Sequence, residues 1–428
     1  MAKTFTYVSF LLLLITIVIA GLCITLIAPH PIVVSNSGEQ VDQAESVKKL
    51  MTQFSDSIKN KTNRQNINIS QDQINSLVGF AQRAHEKING KVLINSTSTS
   101  ILASYQLLKN PVSQYLNIEI LFLPGPGINV SHVKLGSINV PGKLALNTLV
   151  YLTNWYTNSD IASQFMQQVE SVSMIEQQVQ LSILPLDKFL IKLKDVRQSV
   201  SGSSDEEKRF RTAYYLKQLS LLSVGENSIP QSLASYIGPV FSMAKKRSNY
   251  DTAPKENEAA ILALAIYAGH HWFAKFVGNV QPKKGKVTLP KAKPTLKFRA
   301  DLSQHFIFSA AIKILSEQDL SLAIGEFKEL MDRGDDGSGY SFVDLAADFA
   351  GVEFAITATN PSSANTVQTI LAGITNENAF FPNIEGFPEG LTKNDFTQRF
   401  KGVDSFEYLK MVQSINQRIA ELPIHQSR

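Results

Sequence analysis

The sequence predicts a membrane-anchored protein with one N-terminal transmembrane helix, a small α+β domain and a mainly α-helical C-terminal domain. Three observations predict this fold class. The chain opens with a long uncharged apolar segment, short alternating apolar runs follow it, and apolar residues at helical spacing dominate the second half. The 428 residues are enough for two or three folded units with their own hydrophobic cores.

The composition excludes several classes of protein. The 41 lysines and arginines against 37 aspartates and glutamates leave a net charge of +4, which is too small for a general nucleic-acid-binding protein. We therefore expect no nucleic-acid partner. The single cysteine, Cys23, excludes an internal disulfide framework and a cysteine-rich zinc site.

The transmembrane helix is predicted over residues 5–28. After Lys3 the next formally charged residue is Glu39, and residues 7–26 are almost continuously apolar. Twenty helical residues at about 1.5 Å each span about 30 Å, the thickness of a bilayer's hydrocarbon core. The alternative is a cleavable signal peptide, but residues 22–26 would then begin the mature chain with further apolar sequence.

The distribution of positive charge predicts the orientation of this helix. Lys3 precedes the apolar segment, and no lysine or arginine follows it until Lys48. The positive-inside rule therefore places the N-terminus in the cytoplasm. We expect a single-pass protein of the inner (cytoplasmic) membrane, with membrane lipid around the N-terminal helix and the bulk of the chain facing the periplasm.

The segment after the anchor is predicted to be a stalk or linker with some helix, residues 30–66, because it is polar and rich in Ser, Asn, Gln and Lys. A small α+β domain is expected over residues 67–195. Its first helix is predicted over 69–88, with Ser70 as a candidate N-cap. The apolar residues of this helix recur at helical spacing: Ile74, Leu77, Val78 and Ala81.

Antiparallel strands follow, because alternating or short apolar runs are separated by Asn-Pro and Pro-Gly-Pro-Gly breaks. The predicted strands lie within residues 91–107, 115–123 and 128–140. Pro141 and Gly142 then open a helix over 143–156, with more helix to residue 174, and 177–184 has the pattern of a returning strand. A helix, a strand meander and further helix define an α+β domain.

Helical patterns continue from residue 186, interrupted by a polar loop at 199–209. We expect a helical connector over 196–256 and a helical domain over 257–428. The stretch 257–278 is the most apolar after the anchor. Its edge charges and histidines leave only about 11 uninterrupted apolar residues, which favours a buried core helix over a second span.

A basic segment lies between two predicted helices. Residues 282–299 contain seven basic residues, three prolines and no acidic residue. A solvated loop is the simpler interpretation, and a site for anionic lipid head groups, lipopolysaccharide or another anionic envelope polymer is the functional one. The candidate binding residues for this anionic surface are Lys283, Lys284, Lys286, Lys291 and Lys293.

The polar motif region, residues 299–353, carries the candidate chemistry. Three helices are predicted at about 302–315, 317–331 and 341–358. The side chains of interest on them are His305 and Ser309, then Glu326 and Glu329, then Asp344 and Asp348. The two aspartates share a helix side with Gly351 and Ala355, and small residues allow a neighbouring helix to approach closely.

Two interpretations of these side chains stay open. In the first, His305, Glu326, Glu329, Asp344 and Asp348 converge into one mixed nitrogen–oxygen site. His305 and Glu329 are then candidate acid/base catalytic residues, and Asp344 and Asp348 are candidate ligands or orienting groups for a divalent metal. The structural interpretation is a hydrogen-bonded histidine beside an apolar stripe and a solvated acidic helix face. No metalloprotease, P-loop, dinucleotide-binding or nucleophile-elbow motif is present.

The stretch HFxxSAA…AIGEFKELMD…GSGYSFVDLAADFAG resembles a pattern found in uncharacterised cell-envelope proteins of proteobacteria, including short envelope lipoproteins. The matching positions are His305, Phe306, Ser309, Gly325, Lys328, Glu329, Asp332, Gly337, Ser338, Gly339, Ser341, Asp344, Ala347, Asp348 and Gly351. The resemblance covers residues 305–351 and implies location more than mechanism. It adds weight to Glu329 and Asp344, which fall on the pattern.

These observations predict an envelope-facing accessory or scaffold protein whose helical domain engages a partner protein or an anionic surface. The second interpretation is a metal-assisted hydrolase of an envelope polymer, lipid or peptide. The third is a lipid-binding module in the α+β domain. Buried ionic networks specify one packing arrangement without adding much stability, which suits the first interpretation.

Overall fold

The computed structural model describes residues 21, 25–108, 114–200, 204–269, 274–277, 280, 289–316, 320–333 and 337–426. The chain divides into two compact units, Met1–Val200 and Ser201–Arg428. The predicted order of an α+β region followed by a helical region is confirmed. Most of the predicted transmembrane helix, residues 5–28, lies outside the described residues. Its predicted last two residues, Ile27 and Ala28, form a β-strand instead, because they pair with the larger sheet. None of the helices within the described residues has the length and apolar character to cross a membrane.

Two antiparallel sheets form the first unit. The strands of the larger sheet are β1 (Ile27–Ala28), β3 (Ile88–Ile94), β4 (Thr99–Leu108), β5 (Gln114–Leu123), β7 (Asn129–Leu135) and β8 (Ile138–Pro141). Those of the smaller sheet are β2 (Gln65–Ser70), β6 (Gly125–Pro126), β9 (Val169–Ile175) and β10 (Gln178–Ile183). The larger sheet has the order β3–β4–β5–β7–β8 with β1 beside β5, and the smaller has the order β2–β10–β9–β6.

Helices cover parts of these sheets. They are α1 (Ser37–Val41), α2 (Ala44–Lys59), α3 (Gln71–Ala84), α4 (Gly142–Thr157), α5 (Ile161–Gln168) and α6 (Asp187–Val200). Helix α3 begins where the sequence predicts it, because Ser70 and Gln73 form a reciprocal capping box. Ile74 and Val78 of α3 pack on a core built from both sheets. The buried members of that core are Val92, Ile94, Met174 and Val179.

The predicted stalk contains helix, as expected, but it packs on the fold. Residues 30–66 contain α1, α2 and the start of β2, and both helices contact α3. Val41, Ala44, Val47 and Leu50 are buried. The overall polar composition hides these few apolar positions, which is why the sequence indicates a linker.

Residues 29–36, called here the crossing segment, run over the larger sheet through side-chain contacts. Asn117 Nδ2 donates to the carbonyl of His30 at 2.9 Å, and the backbone N–H of Ile32 donates to Ser104 Oγ at 3.0 Å. Ser35 Oγ then donates to the carbonyl of Gly90 at 2.9 Å. The segment that follows the predicted anchor is therefore fastened across the sheet.

The second unit is helical. Its helices are α7 (Ser204–Leu219), α8 (Ala234–Arg247), α9 (Ala253–Leu264), α10 (Ala274–Val277), α11 (Ala300–Leu315), α12 (Leu320–Met331), α13 (Phe342–Thr359), α14 (Ala364–Leu371), α15 (Lys393–Phe400) and α16 (Phe406–Ala420). Helix α7 occupies part of the predicted loop 199–209. The predicted connector 196–256 falls in both units, because the division lies after Val200.

Helix α13 lies at the centre of the second unit. Of its 18 residues, 15 are buried, and it packs against α9, α11, α12 and α16. Gly351 allows the closest approach, because a Cβ atom there would overlap the carbonyl oxygen of Phe306 on α11. In the predicted apolar stretch 257–278, α9 and the following π-helical turn Ala265–Gly269 are almost wholly buried, as a core helix requires.

Candidate functional site

Three helices of the second unit bring ionisable side chains to one place. The polar cluster comprises His305 and Ser309 of α11, Glu329 of α12, and Asp344 and Asp348 of α13. His305 Nδ1 lies 3.1 Å from Asp348 Oδ2, and Ser309 Oγ donates to Asp348 Oδ1 at 2.6 Å. The four-residue spacing of His305 and Ser309 therefore directs both side chains to the same carboxylate.

Asp344 faces the other side of the histidine ring. Its Oδ2 atom lies 3.6 Å from His305 Nε2, so each ring nitrogen is close to a carboxylate. Burial lowers the pKa of His305, but the charge and hydrogen bond of Asp348, together with the charge of Asp344, raise it to about 9. The protonated imidazolium is thus the form that this arrangement stabilises.

Glu329 joins α12 to the start of α13. Its side chain is fully buried, and its Oε2 atom accepts the backbone N–H of Ser341 at 3.1 Å. Its Oε1 atom lies 3.0 Å from Lys328 Nζ. Burial raises the pKa of Glu329 to about 7, against the opposing charge of Lys328. This carboxyl group therefore gains or loses its proton near neutral pH.

The surroundings of Asp344 leave one oxygen incompletely satisfied. Burial raises the pKa of Asp344, although the charge of His305 opposes this. Among the described residues its buried Oδ1 atom accepts no hydrogen bond, and Arg299 Nη2 lies 3.6 Å from it. This carboxylate oxygen is available to a cation that approaches the cluster.

A glycine makes room for the carboxylate at the centre. A Cβ atom at Gly325 of α12 would lie 2.8 Å from Asp348 Oδ2, closer than nonbonded atoms tolerate. Any other residue at this position would therefore displace the Asp348 side chain.

His305, Glu329 and Asp348 could hold a metal ion. One ligand atom from each lies within 4.8 Å of the other two, and all three side chains are buried or nearly so. One imidazole nitrogen with two carboxylate oxygens is a ligand set that suits zinc, manganese or iron. The sequence assigned metal binding to Asp344 and Asp348, whereas this geometry groups Asp348 with the two predicted acid/base residues.

The predicted anionic-surface site is only partly within the described residues. Lys283, Lys284 and Lys286 lie outside them, and Lys291 and Lys293 are exposed. The site stays a prediction.

Two residues beside the polar cluster had no predicted role in it. Lys328 pairs with Glu329, and Ser341 caps α13 by accepting the N–H of Asp344 at 3.0 Å. The Ser-x-x-Asp spacing was the available signal for the cap.

The fold and the site define an α+β unit joined to a helical unit that encloses a charged cluster. No protein-family model matches the sequence, and no curated protein or solved structure matches the chain.

Proposed function

We propose that the protein is a single-pass, membrane-anchored accessory or scaffold protein of the cell envelope, whose helical unit engages a partner protein or an anionic surface. One observation carries this choice: the side chains of the polar cluster are almost fully enclosed and contact one another across three helices. The side chains of His305 and Asp344 are 11% and 12% exposed, and those of Asp348 and Glu329 are 4% and 0% exposed.

A closed cluster of this kind supports a structural role. Asp348 accepts from two side chains of α11, and Glu329 accepts a backbone N–H near the start of α13. Any rotation of one helix would leave a buried charge without its partner, and that costs more than the pair contributes. The network therefore selects one arrangement of α11, α12 and α13, as a rigid binding surface requires.

The location rests on the sequence. The uncharged apolar residues 7–26 support insertion into the inner membrane, and Lys3 supports a cytoplasmic N-terminus with the two units in the periplasm. The resemblance of residues 305–351 to envelope proteins supports the same compartment. The exposed Lys291 and Lys293 support contact with an anionic envelope polymer or lipid surface.

The test compares two aspartate variants of the full chain in detergent. Asp348→Ala should lower the free energy of unfolding by about 3–5 kcal/mol, because it removes the nearer of two carboxylates beside a buried imidazolium and also the acceptor of Ser309 Oγ. Asp301→Ala, which removes a half-exposed partner of Arg299, should cost no more than about 1 kcal/mol. If the Asp348→Ala variant were as stable as the parent chain but no longer supported the protein's function in cells, an enzyme would be favoured over a scaffold.

A metal-dependent hydrolase is the second candidate function. The geometry of His305, Glu329 and Asp348 favours this candidate, because one possible ligand atom from each lies within 4.8 Å of the other two. In this candidate those residues would hold a divalent cation, and Asp344 would orient the group bound to it. The purified full chain, equilibrated with zinc or manganese, should then carry one ion per chain by elemental analysis. Asp348→Asn should lose that ion while Asp301→Asn keeps it; the absence of bound metal in both would reject this candidate.

A further inference from the structure

Helix α4 of the first unit shows its most apolar side to the exterior. Among its 16 residues only Gly142 is buried. Six large side chains are between 51% and 73% exposed: Leu144, Leu149, Tyr151, Leu152, Trp155 and Tyr156. An amphipathic helix of a water-soluble domain has the opposite arrangement, with polar residues on its exposed side.

The six side chains form one continuous surface. Successive residues of a helix are rotated by about 100°, so these six, with Ala145 and Thr148 between them, cover about 160° of the helix circumference. They are called here the α4 apolar face, and none of its eight residues is charged. The opposite side of α4 carries the half-buried Leu146 and Val150, and the helix packs on β7.

The neighbouring helices carry further exposed apolar side chains and exposed lysines. Phe165 of α5 and Ile191 of α6 are also more than half exposed, and α5 and α6 contact each other. Lys188 and Lys194 of α6 are exposed, as is Lys143 in the first turn of α4. An apolar face with tyrosine and tryptophan, beside lysines, is the pattern of a helix that lies in a membrane interface.

The start of α4 is close to the point where the predicted anchor meets the fold. The backbone N–H of Ser137, in the turn between β7 and β8, donates to the carbonyl of Thr25 at 2.7 Å. A Cβ atom at Gly136 would meet the backbone of Thr25 and Leu26. Strand β8 spans four residues at about 3.4 Å each, so α4 begins roughly 15 Å from this turn.

We propose that the α4 apolar face lies on the surface of the same membrane that holds residues 7–26, with its large side chains at the boundary of head groups and acyl chains. This inference rests on the proposed membrane anchor. The anchor ends at residue 26, beside the turn that leads through β8 into α4, and therefore keeps the face within reach of lipid continuously. A second copy of the chain would have to compete with lipid for the α4 apolar face. Lipid has the higher effective concentration there, because the anchor tethers the chain to the membrane.

The test uses the full chain in vesicles of anionic and zwitterionic phospholipid. In a Cys23→Ser background, single cysteines introduced as Leu152→Cys and Asn147→Cys carry an environment-sensitive fluorophore. Leu152 lies on the α4 apolar face, whereas the exposed Asn147 lies on the same helix outside it. A third variant, Ile17→Cys, reports on the anchor.

Nitroxide-labelled lipid should reduce the fluorescence at position 152 roughly twofold and leave position 147 nearly unchanged. Quenching at position 17 without quenching at position 152 would overturn the inference and leave the anchor standing. Quenching at neither position would reject both. Protection of position 152 from lipid nitroxide and from aqueous iodide alike would show a protein surface over the helix, and so would also overturn the inference.

Discussion

The surroundings of His305 have opposite effects on the charge of its ring. Burial disfavours its charge, while Asp344 and Asp348, one turn apart on α13, present carboxylates to its two ring nitrogens. The carboxylates prevail, so the fold holds the ring in its protonated form. That proton has to leave if a divalent cation takes a ring nitrogen as ligand, and metal binding would therefore release it.

The stability of the metal-free helical unit should fall as pH rises from about 6 to about 9. The pKa of His305 is raised from 6.5 to about 9, so the folded state binds this proton more tightly than the unfolded chain does. The resulting stabilisation is complete below about pH 6.5 and is lost as pH passes through about 9. The loss should be on the order of 3 kcal/mol, measured as the urea midpoint in pulse proteolysis of the full chain with a C-terminal tag.

Glu329 should add to this trend at lower pH. Its pKa is raised from 4.5 to about 7, so its contribution is present below about pH 4.5 and is lost as pH rises through about 7. His305→Gln should remove the alkaline part of the pH dependence and Glu329→Gln the acidic part. A urea midpoint that rises across the whole range would contradict both assignments.

The residues of the polar cluster and their convergence on one site were predictable from the sequence, but the individual contacts between them were not. Acidic residues on adjacent turns beside Gly351 and Ala355 indicate a carboxylate pair near a helix contact. Which of them faces His305 Nδ1 depends on how α12 and α13 rotate about their axes. That rotation is decided by contacts such as Gly325 against Asp348, which no spacing within a single helix reveals.

At the scale of the element, α13 depends on small residues. Gly351 lies against the backbone of Phe306, and this contact brings α11 close enough for His305 and Ser309 to reach Asp348. Interiors are packed so tightly that one added methyl group must displace its neighbours. The helix contact and the charged cluster are therefore coupled through the same two helices.

Gly351→Ala should destabilise the second unit by about 2–4 kcal/mol, because the new Cβ atom would meet a backbone carbonyl that cannot rotate away. Without this clash, replacing a helical glycine by alanine gains stability. Gly373→Ala is the matched control, since nothing lies within 4 Å of a Cβ atom there, and it should stay within about 0.5 kcal/mol of the parent. Equal urea midpoints for the two variants would show that α11 and α13 are not closely packed at this point.

Helices with regular apolar spacing were predictable to within a few residues, and those with short stripes were not. The predicted helices 302–315 and 341–358 correspond to Ala300–Leu315 and Phe342–Thr359. Some helix was predicted in residues 30–66, but the bounds and the packing of α1 and α2 were not, because only four buried apolar residues, spread over ten positions, distinguish them from a polar linker.

At the scale of the molecule, the second unit has a core of its own. Aromatic side chains from α11, α13, α15, α16 and the loop before α15 contact one another within it. The boundary after Val200 separates this core from the sheets of the first unit. The sequence predicted the end of the α+β domain at residue 195, but it assigned 196–256 to a separate connector, most of which belongs to the second unit.

The isolated fragment 201–428 should therefore fold without the first unit. We expect a helical circular dichroism spectrum and a cooperative urea transition at the same midpoint as the second unit of the full chain, because its buried residues pack on each other. A fragment that unfolds without cooperativity would mean that the first unit completes its core.

The crossing segment determines how the first unit would respond to tension. A pull on the residues before Thr25 would load its hydrogen bond from Ser137 first and the two-residue strand β1 next. The attachments at Asn117, Ser104 and Gly90 would follow in turn. These attachments follow one another along a single chain, so each bears the full force before the next is loaded. Residues 27–36 would detach from the sheet one contact at a time. The chain between the anchor and the folded unit would thereby lengthen, while the core beneath α3 stays intact.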